Sequence, residues 1–396
     1  MIGAHVLSML GFATYAALLP ELRDLWQLSN VQAGLISSAF FAGYVTTVSY
    51  WTALTDRRDG RVIYLVGALI ATAGGAGFGV AAQGLASGMF FHALLGAGIA
   101  GTYMPGLRLL SDRTSGPLQS RYIAFYTSFF GIGTAISLAL AGLLAPMVGW
   151  RSVFLLSAIG PFAAGILVFV FVSRAEARGG AASFSLATLF PLAAWKKVVA
   201  NRAAAGYTLG YVAHCIELFG SRGWMVAFLA YAAGLQAAGQ TFPWNYAAIA
   251  AVINLVAVPA SIVGNEVAQR IGRRQWIQIA MAGSGACGIL LAFGAPLHWT
   301  LVIAMLIIYS MLVMAESATL TAGLVAAVPA ELRGAALGLY SLAGFAGGAL
   351  GPSLFGFALD MAGGKASAVA WTWAYAAIGA GCLSAPLVTR AFRAKP

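Results

Sequence analysis

The chain has 396 residues, of which 61% are hydrophobic and only 8% charged. That composition leaves too little polar surface to cover a core in water, so a soluble domain is excluded and lipid is the solvent. The formal charge of +11 calls for no nucleic-acid partner, because arginines facing anionic lipid at the cytoplasmic surface account for it.

Long apolar stretches alternate with short polar clips. A membrane-crossing helix takes about 20 apolar residues, so twelve of them need roughly 240 and leave short loops and one longer connector. The first six are predicted at 2–20, 31–54, 62–84, 87–108, 122–147 and 152–172. The stretch ending at Pro20 lacks the basic start and small-residue cleavage pattern of a signal peptide, so it reads as the first span. The connector 176–202 carries Phe184, Leu186, Leu189, Phe190 and Trp195 between the pair Gly179, Gly180 and the pair Lys196, Lys197. Two readings stand for it, a helix lying on the inner membrane surface or a flexible tether. The second six spans are predicted at 203–232, 244–266, 275–294, 299–325, 335–360 and 367–389. The expected fold class is an all-α polytopic membrane protein of twelve transmembrane helices in two six-helix bundles, 1–175 and 203–396.

Charge sets the orientation. Of the 22 Lys and Arg, all but Arg23, Arg151, Arg222 and Lys365 lie in 55–61, 108–121, 174–202 and 270–274, at Arg333, or from Arg390 onward. The positive-inside rule then puts both termini and every basic clip in the cytoplasm, as in a multi-pass protein of the inner (plasma) membrane. Trp150, Trp244, Trp276, Trp299, Trp371 and Trp373 lie near span ends, where an interfacial belt is expected. Cys215, Cys287 and Cys382 are isolated in apolar stretches, without the spacing of a disulfide or metal site, and read as packing residues.

The two halves echo one another. After the second span comes Asp56-Arg57-Arg58-Asp59-Gly60-Arg61, and after the eighth Gln269-Arg270-Ile271-Gly272-Arg273-Arg274. The fifth and eleventh spans open with Tyr126-Thr127 and Tyr340-Ser341 and run into glycines, among them Gly131, Gly133 and Gly142 in one and Gly344, Gly347, Gly348 and Gly351 in the other. Small residues three or four apart let helices approach closely in lipid. A six-plus-six repeat of this kind is a signature of secondary transporters.

With these features the chain resembles the major facilitator superfamily over essentially its whole length. That family carries Gly-x-x-x-Asp-Arg-x-Gly-Arg-Arg after its second helix and a weaker copy after its eighth. Arg270, Gly272, Arg273 and Arg274 fall on the second copy, where Gln269 replaces the acid. Asp56, Arg57, Gly60 and Arg61 fall on the first, with one extra residue before the glycine and Thr52 at the leading glycine. An aspartate beside cytoplasmic helix ends favours a neighbouring helix N-terminus and pairs with arginine, so Asp56 is expected to latch an inner gate. The alternative is that these residues only set topology, which is the expectation for Arg58, Arg273 and Arg274.

Ionisable residues inside spans are costly and functional by default. His214 and Glu217 share one stripe with Gly210 and Ser221, Arg222 lies further along, and Gly220 to Gly223 suggests a hinge. Glu316 sits in the tenth span; the fourth carries His92, Tyr103 and Arg108. The resemblance implies that the first, fourth, seventh and tenth helices line a central cavity, which places these residues and Tyr211 on the pathway of substrate and protons. Two carboxyls beside His214 are not expected both to stay ionised in a dry site. Glu217 is the expected coupling acid, because His214 lies one turn away and Glu316 has no titratable neighbour in its own helix. Arg222, and Arg108 with it, are expected to receive an anionic group.

The expected function is alternating-access transport of a small solute, an organic anion, coupled to protons. Its partners are that solute, protons and the bilayer, with the chain acting as a monomer. Two other readings stand. Drug or metabolite export by proton antiport is one, although exporters of this family often carry Gly-Pro in the fifth helix, whereas here Gly351-Pro352 lies in the eleventh. A membrane sensor without turnover is the other. No nucleotide loop, metal-ligand spacing or nucleophile elbow occurs, so no enzyme, cofactor or metal is expected.

Overall fold

The computed structural model describes residues 1–55, 57–114, 116–174 and 190–391, and of residues 116–121, 124 and 391 the backbone alone. Among the described residues the regular elements are helical. They are α1 (Ile2–Ser8), α2 (Thr14–Leu25), α3 (Asn30–Leu54), α4 (Gly60–Ala81), α5 (Leu85–Ser111), α6 (Gly116–Phe171), α7 (Leu192–Ala200) and α8 (Arg202–Ala233). There follow α9 (Tyr246–Ile271), α10 (Arg273–Gly294), α11 (Trp299–Ala315), α12 (Ser317–Ala327), a short 3-10 turn (Ala330–Leu332), α13 (Arg333–Met361), α14 (Ala368–Leu383) and α15 (Ala385–Ala391).

The predicted spans are not twelve unbroken helices, and each departure has a local cause. Phe125–Phe171 is 47 residues long, enough for two crossings. Gly149 (φ 77°, ψ 158°) interrupts it, in a backbone region open to glycine, and so divides the fifth span from the sixth. The predicted first span is α1 and α2, and the twelfth is α14 and α15. The expected hinge at Gly220–Gly223 is absent, since α8 runs unbroken from Arg202 to Ala233. Those glycines serve contact instead, Gly220 against the Gly351 backbone and Gly223 against the Pro352 ring.

The break comes in the tenth span, at Glu316 between α11 and α12. The Ala315 carbonyl at this junction accepts from Trp276 Nε1 at 3.0 Å, which satisfies backbone that lipid would leave bare. Trp276 therefore supports the break and is no simple member of an interfacial belt. Trp244 and Trp373 are 61% exposed, as the belt requires, whereas Trp150 and Trp371 are buried in aromatic clusters.

The chain forms two compact units. The first comprises Met1–Trp26, Ala39–Phe190 and Asn245–Leu255; the second Gln27–Ser38, Pro191–Trp244 and Val256–Pro396. In the first, α3 and α5 approach until a Cβ on Gly43 would lie 1.9 Å from the Ala93 carbonyl oxygen, and one on Gly96 1.9 Å from that of Phe40. Asn245 Nδ2 donates to the Gly142 carbonyl in the same unit. In the second, Asp360 caps the start of α3. Its Oδ1 accepts from Asn30 N (3.1 Å) and Nδ2 (2.7 Å), and its Oδ2 from Val31 N (2.8 Å), a carboxylate placed where a helix N-terminus favours negative charge.

Asp56, the expected gating acid, lies outside the described residues. The following acid, Asp59, N-caps α4 by accepting from Arg61 N at 3.0 Å. Arg61 returns Nη2 and Nε to Asp59 Oδ2 at 2.8 and 2.9 Å and donates Nη1 to the Val172 carbonyl at 3.0 Å, just past α6. Burial pushes the Asp59 carboxyl up, but the Arg61 hydrogen bonds and charge outweigh it and hold the group below its usual value. In the second loop Gly272 takes φ 96° at the start of α10, a conformation that glycine adopts without strain. Arg270 and Arg273 are exposed and Arg274 half-buried; Arg57 is half-buried and Gly60 packs on Leu109.

Two substitutions test this packing by thermal unfolding in detergent. Gly96→Leu is expected to cost more than the roughly 1–3 kcal/mol of ordinary overpacking, because the obstacle is backbone. Trp276→Phe keeps an aromatic ring but strands the Ala315 carbonyl, an expected loss of about 1–3 kcal/mol.

Candidate functional site

The in-span ionisable residues of the second unit converge. His214 and Glu217 project from α8, with 1% of each exposed, and Glu316 sits fully buried at the α11–α12 break. His214 Nδ1 lies 3.1 Å from Glu316 Oε1. Spacing along α8 had suggested Glu217 as the partner of His214, but Glu217 turns to α10, where Ser284 Oγ is 2.7 Å from its Oε2. The two carboxylates and the Cys382 thiol of α14 all have atoms within 4.8 Å of one another. Glu217 Oε1 and Glu316 Oε2 have no hydrogen-bond partner, although both groups are buried.

A tyrosine stack flanks the pair. The Tyr211 ring lies 5.7 Å from His214 at 18° and 3.8 Å from Tyr340 at 9°. Arg222, two turns along α8 from His214, is half-buried, and its Nη2 contacts Met314 Sδ at 3.3 Å. Among the described residues no carboxylate pairs with it.

The first-unit candidates sit in other settings. His92 is 4% exposed among the rings of Tyr15, Phe40 and Phe78, at 5.3, 5.5 and 6.1 Å. Tyr103 packs on His5 at 5.2 Å and Tyr126 at 5.7 Å. Arg108 reaches Asp112 one turn along α5, Nε to Oδ2 at 3.4 Å, so its guanidinium is engaged at a helix end. His5 is fully buried and stacked on Tyr126 at 4.3 Å.

Sequence reasoning missed Ser284, Cys382 and Met314. Ser284 stands between Gly283 and Gly285 in a small-residue run, the pattern of a helix contact, and Cys382 reads as packing. Chemically, two buried carboxyls within 4.8 Å of each other and of a thiol, one touching an imidazole and the other a hydroxyl, form a cluster able to hold a proton. The Arg222 guanidinium, without a carboxylate partner among the described residues, has the forked geometry that suits an anion.

Comparison with known proteins identifies the family. Organic cation/carnitine transporter 7 of Arabidopsis thaliana is 25% identical over 142 residues, 35% of this chain and 28% of that protein. The niacin transporter NiaP of Acinetobacter baylyi is 24% identical over 149 residues, 38% of this chain and 33% of that protein. The matched segments thus span a third or less of these curated relatives. Among solved structures, a bacterial homolog of the human lysosomal transporter Spinster superposes with a TM-score of 0.76 at 15% identity, covering 98% of this chain and 93% of that one. The nucleoside transporter NupG superposes with a TM-score of 0.77 at 13% identity, covering 99% of both chains. The sequence model of the Major Facilitator Superfamily matches residues 1–352 and again 214–396, so that both halves are accounted for and the chain belongs to the Major Facilitator Superfamily.

Proposed function

We propose that this transporter moves a small organic anion by alternating access, in symport with protons. The observation that carries the reading is Arg222. A guanidinium within a membrane helix needs a counter-charge, and Met314 sulfur, its one polar contact among the described residues, supplies none. A carboxylate solute would supply that counter-charge through two parallel hydrogen bonds. The relative named for niacin supports the reading, since niacin bears a carboxylate; the one named for organic cations and carnitine is neutral on it.

Proton coupling rests on the neighbouring network. The His214–Glu316 contact ties one carboxyl to an imidazole, and Glu217, held by the neutral Ser284 hydroxyl, is the acid we assign to the transported proton. Tyr211, His92 and Tyr103 are proposed to line the pathway, Arg108 to lie at its edge. The loop residues Asp56, Arg57, Gly60 and Arg61, with Arg270, Gly272, Arg273 and Arg274, are proposed to steady the cytoplasmic helix ends and anchor them at the headgroups. We place the chain, as a monomer, in the inner (plasma) membrane with both termini cytoplasmic.

Counterflow in proteoliposomes tests the anion. Nicotinate and other small carboxylates are expected to exchange, which a sensor would not support. Arg222→Lys is expected to weaken exchange by tenfold or so, because lysine keeps the charge but lacks the planar fork, and Arg222→Gln to weaken it further. Wild-type affinity in both variants would reduce Arg222 to an anchor, and exchange of cationic drugs alone would favour export.

A further inference from the structure

Ser284 lies fully buried on α10, and its Oγ is within hydrogen-bond distance of two oxygens, Glu217 Oε2 at 2.7 Å and the carbonyl of Met281 at 2.9 Å. A serine hydroxyl has one hydrogen and can also accept, so it cannot donate to both at once. If Glu217 is ionised, the hydrogen turns to Oε2. If Glu217 carries a proton on Oε2, that proton is donated to Oγ, and the serine hydrogen turns back to Met281. The separation of 2.7 Å suits an O–H···O contact of either polarity.

The other carboxyl oxygen faces no donor. Glu217 Oε1 has no hydrogen-bond partner, and Gly379 of α14 stands beside it, where a Cβ would lie 3.6 Å away. An oxygen in that setting suits the carbonyl of a neutral acid, which leaves Oε2 as the proton site. The titratable groups around Glu217 are His214 from its own helix, Glu316 from the α11–α12 break, Tyr309 from α11, Cys287 from α10 and Cys382 from α14. Of these the Cys382 thiol lies within 4.8 Å of the carboxylates of Glu217 and Glu316, and among the described residues no cation pairs with Glu217.

We infer that Ser284 is a positioning residue for coupling. Its hydroxyl swivels between Met281 O and Glu217 Oε2, holding the transported proton on Oε2 and satisfying the carboxylate once that proton leaves. The inference rests on the reading that Glu217 carries the proton. It explains why a polar residue stands in the small-residue stretch of α10: without the hydroxyl, the ionised state of Glu217 would lose its strongest donor in an apolar interior.

Infrared difference spectroscopy on the purified full-length protein tests this without knowledge of the solute. The carbonyl stretch of protonated Glu217 is assigned by its loss in Glu217→Gln and then followed against pH. In Ser284→Ala the band is expected at higher frequency, as its hydrogen bond is lost. Its titration midpoint is expected about one pH unit higher, because the ionised form loses the stronger, charge-assisted bond. Ser284→Cys, with a weaker one-hydrogen donor, is expected to shift both in the same direction by less, and it carries the test should the alanine variant not fold. A Glu217 band that titrates in wild type but keeps its position and midpoint in the serine variants would make Ser284 a structural back-bond and overturn the inference alone. If no carboxyl band assignable to Glu217 titrates in wild type, the coupling reading falls and the inference falls with it.

Discussion

The second unit is organised by one constraint: ionisable groups held in an apolar interior must find their partners within the protein. His214 and Glu316 meet that demand together, 102 positions apart in sequence and 3.1 Å apart in space. Their meeting coincides with the interruption of the tenth span. Glu316 occupies the junction itself, and the carbonyl exposed one residue earlier is taken by the Trp276 indole. A break of this kind is tolerated at membrane depth only where protein satisfies the freed backbone, and here the donor and the pair lie at the same point of the fold.

Close approach between helices sets the rest of the site. The contact of α10 with α14 runs through Gly285 and Gly379, where a Cβ on Gly379 would lie 3.1 Å from the Gly285 Cα. That places Ser284 and Cys382 against Glu217. In lipid such contacts gain little from the hydrophobic effect and depend on fitted packing, so the geometry of the carboxyl is set by residues with no charge of their own. Among the described residues Arg222 is the exception to internal satisfaction, since its contact with the Met314 sulfur supplies no counter-charge.

The fold was legible because its determinants are long-range averages. Hydropathy located the spans, and the arginine clips and repeated loops agreed with a two-half transporter. The ionisable residues stood out as well, since a His, two Glu and an Arg inside apolar stretches are conspicuous. Their pairing was hidden. Spacing on one helix joined His214 to Glu217, and only the tertiary fold brings Glu316 to the imidazole. Glycines at 220 and 223 imitated a hinge that is a packing face, whereas the real break at Glu316 has neither Gly nor Pro beside it. Ser284, Cys382 and Asp360 gave no signal, because a small residue in an apolar run and an acid near a span end have many ordinary uses.

The central claim is that anion transport is coupled to a proton carried by Glu217. The most direct measurement is solute-driven proton movement in proteoliposomes holding a pH dye, with nicotinate supplied outside. Uptake in wild type is expected to acidify the lumen and, under an imposed pH gradient, to accumulate solute. Glu217→Gln, which mimics the protonated acid, is expected to exchange solute down its gradient with neither effect. Acidification and accumulation undiminished in Glu217→Gln, or wild-type uptake that moves no protons, would contradict the account.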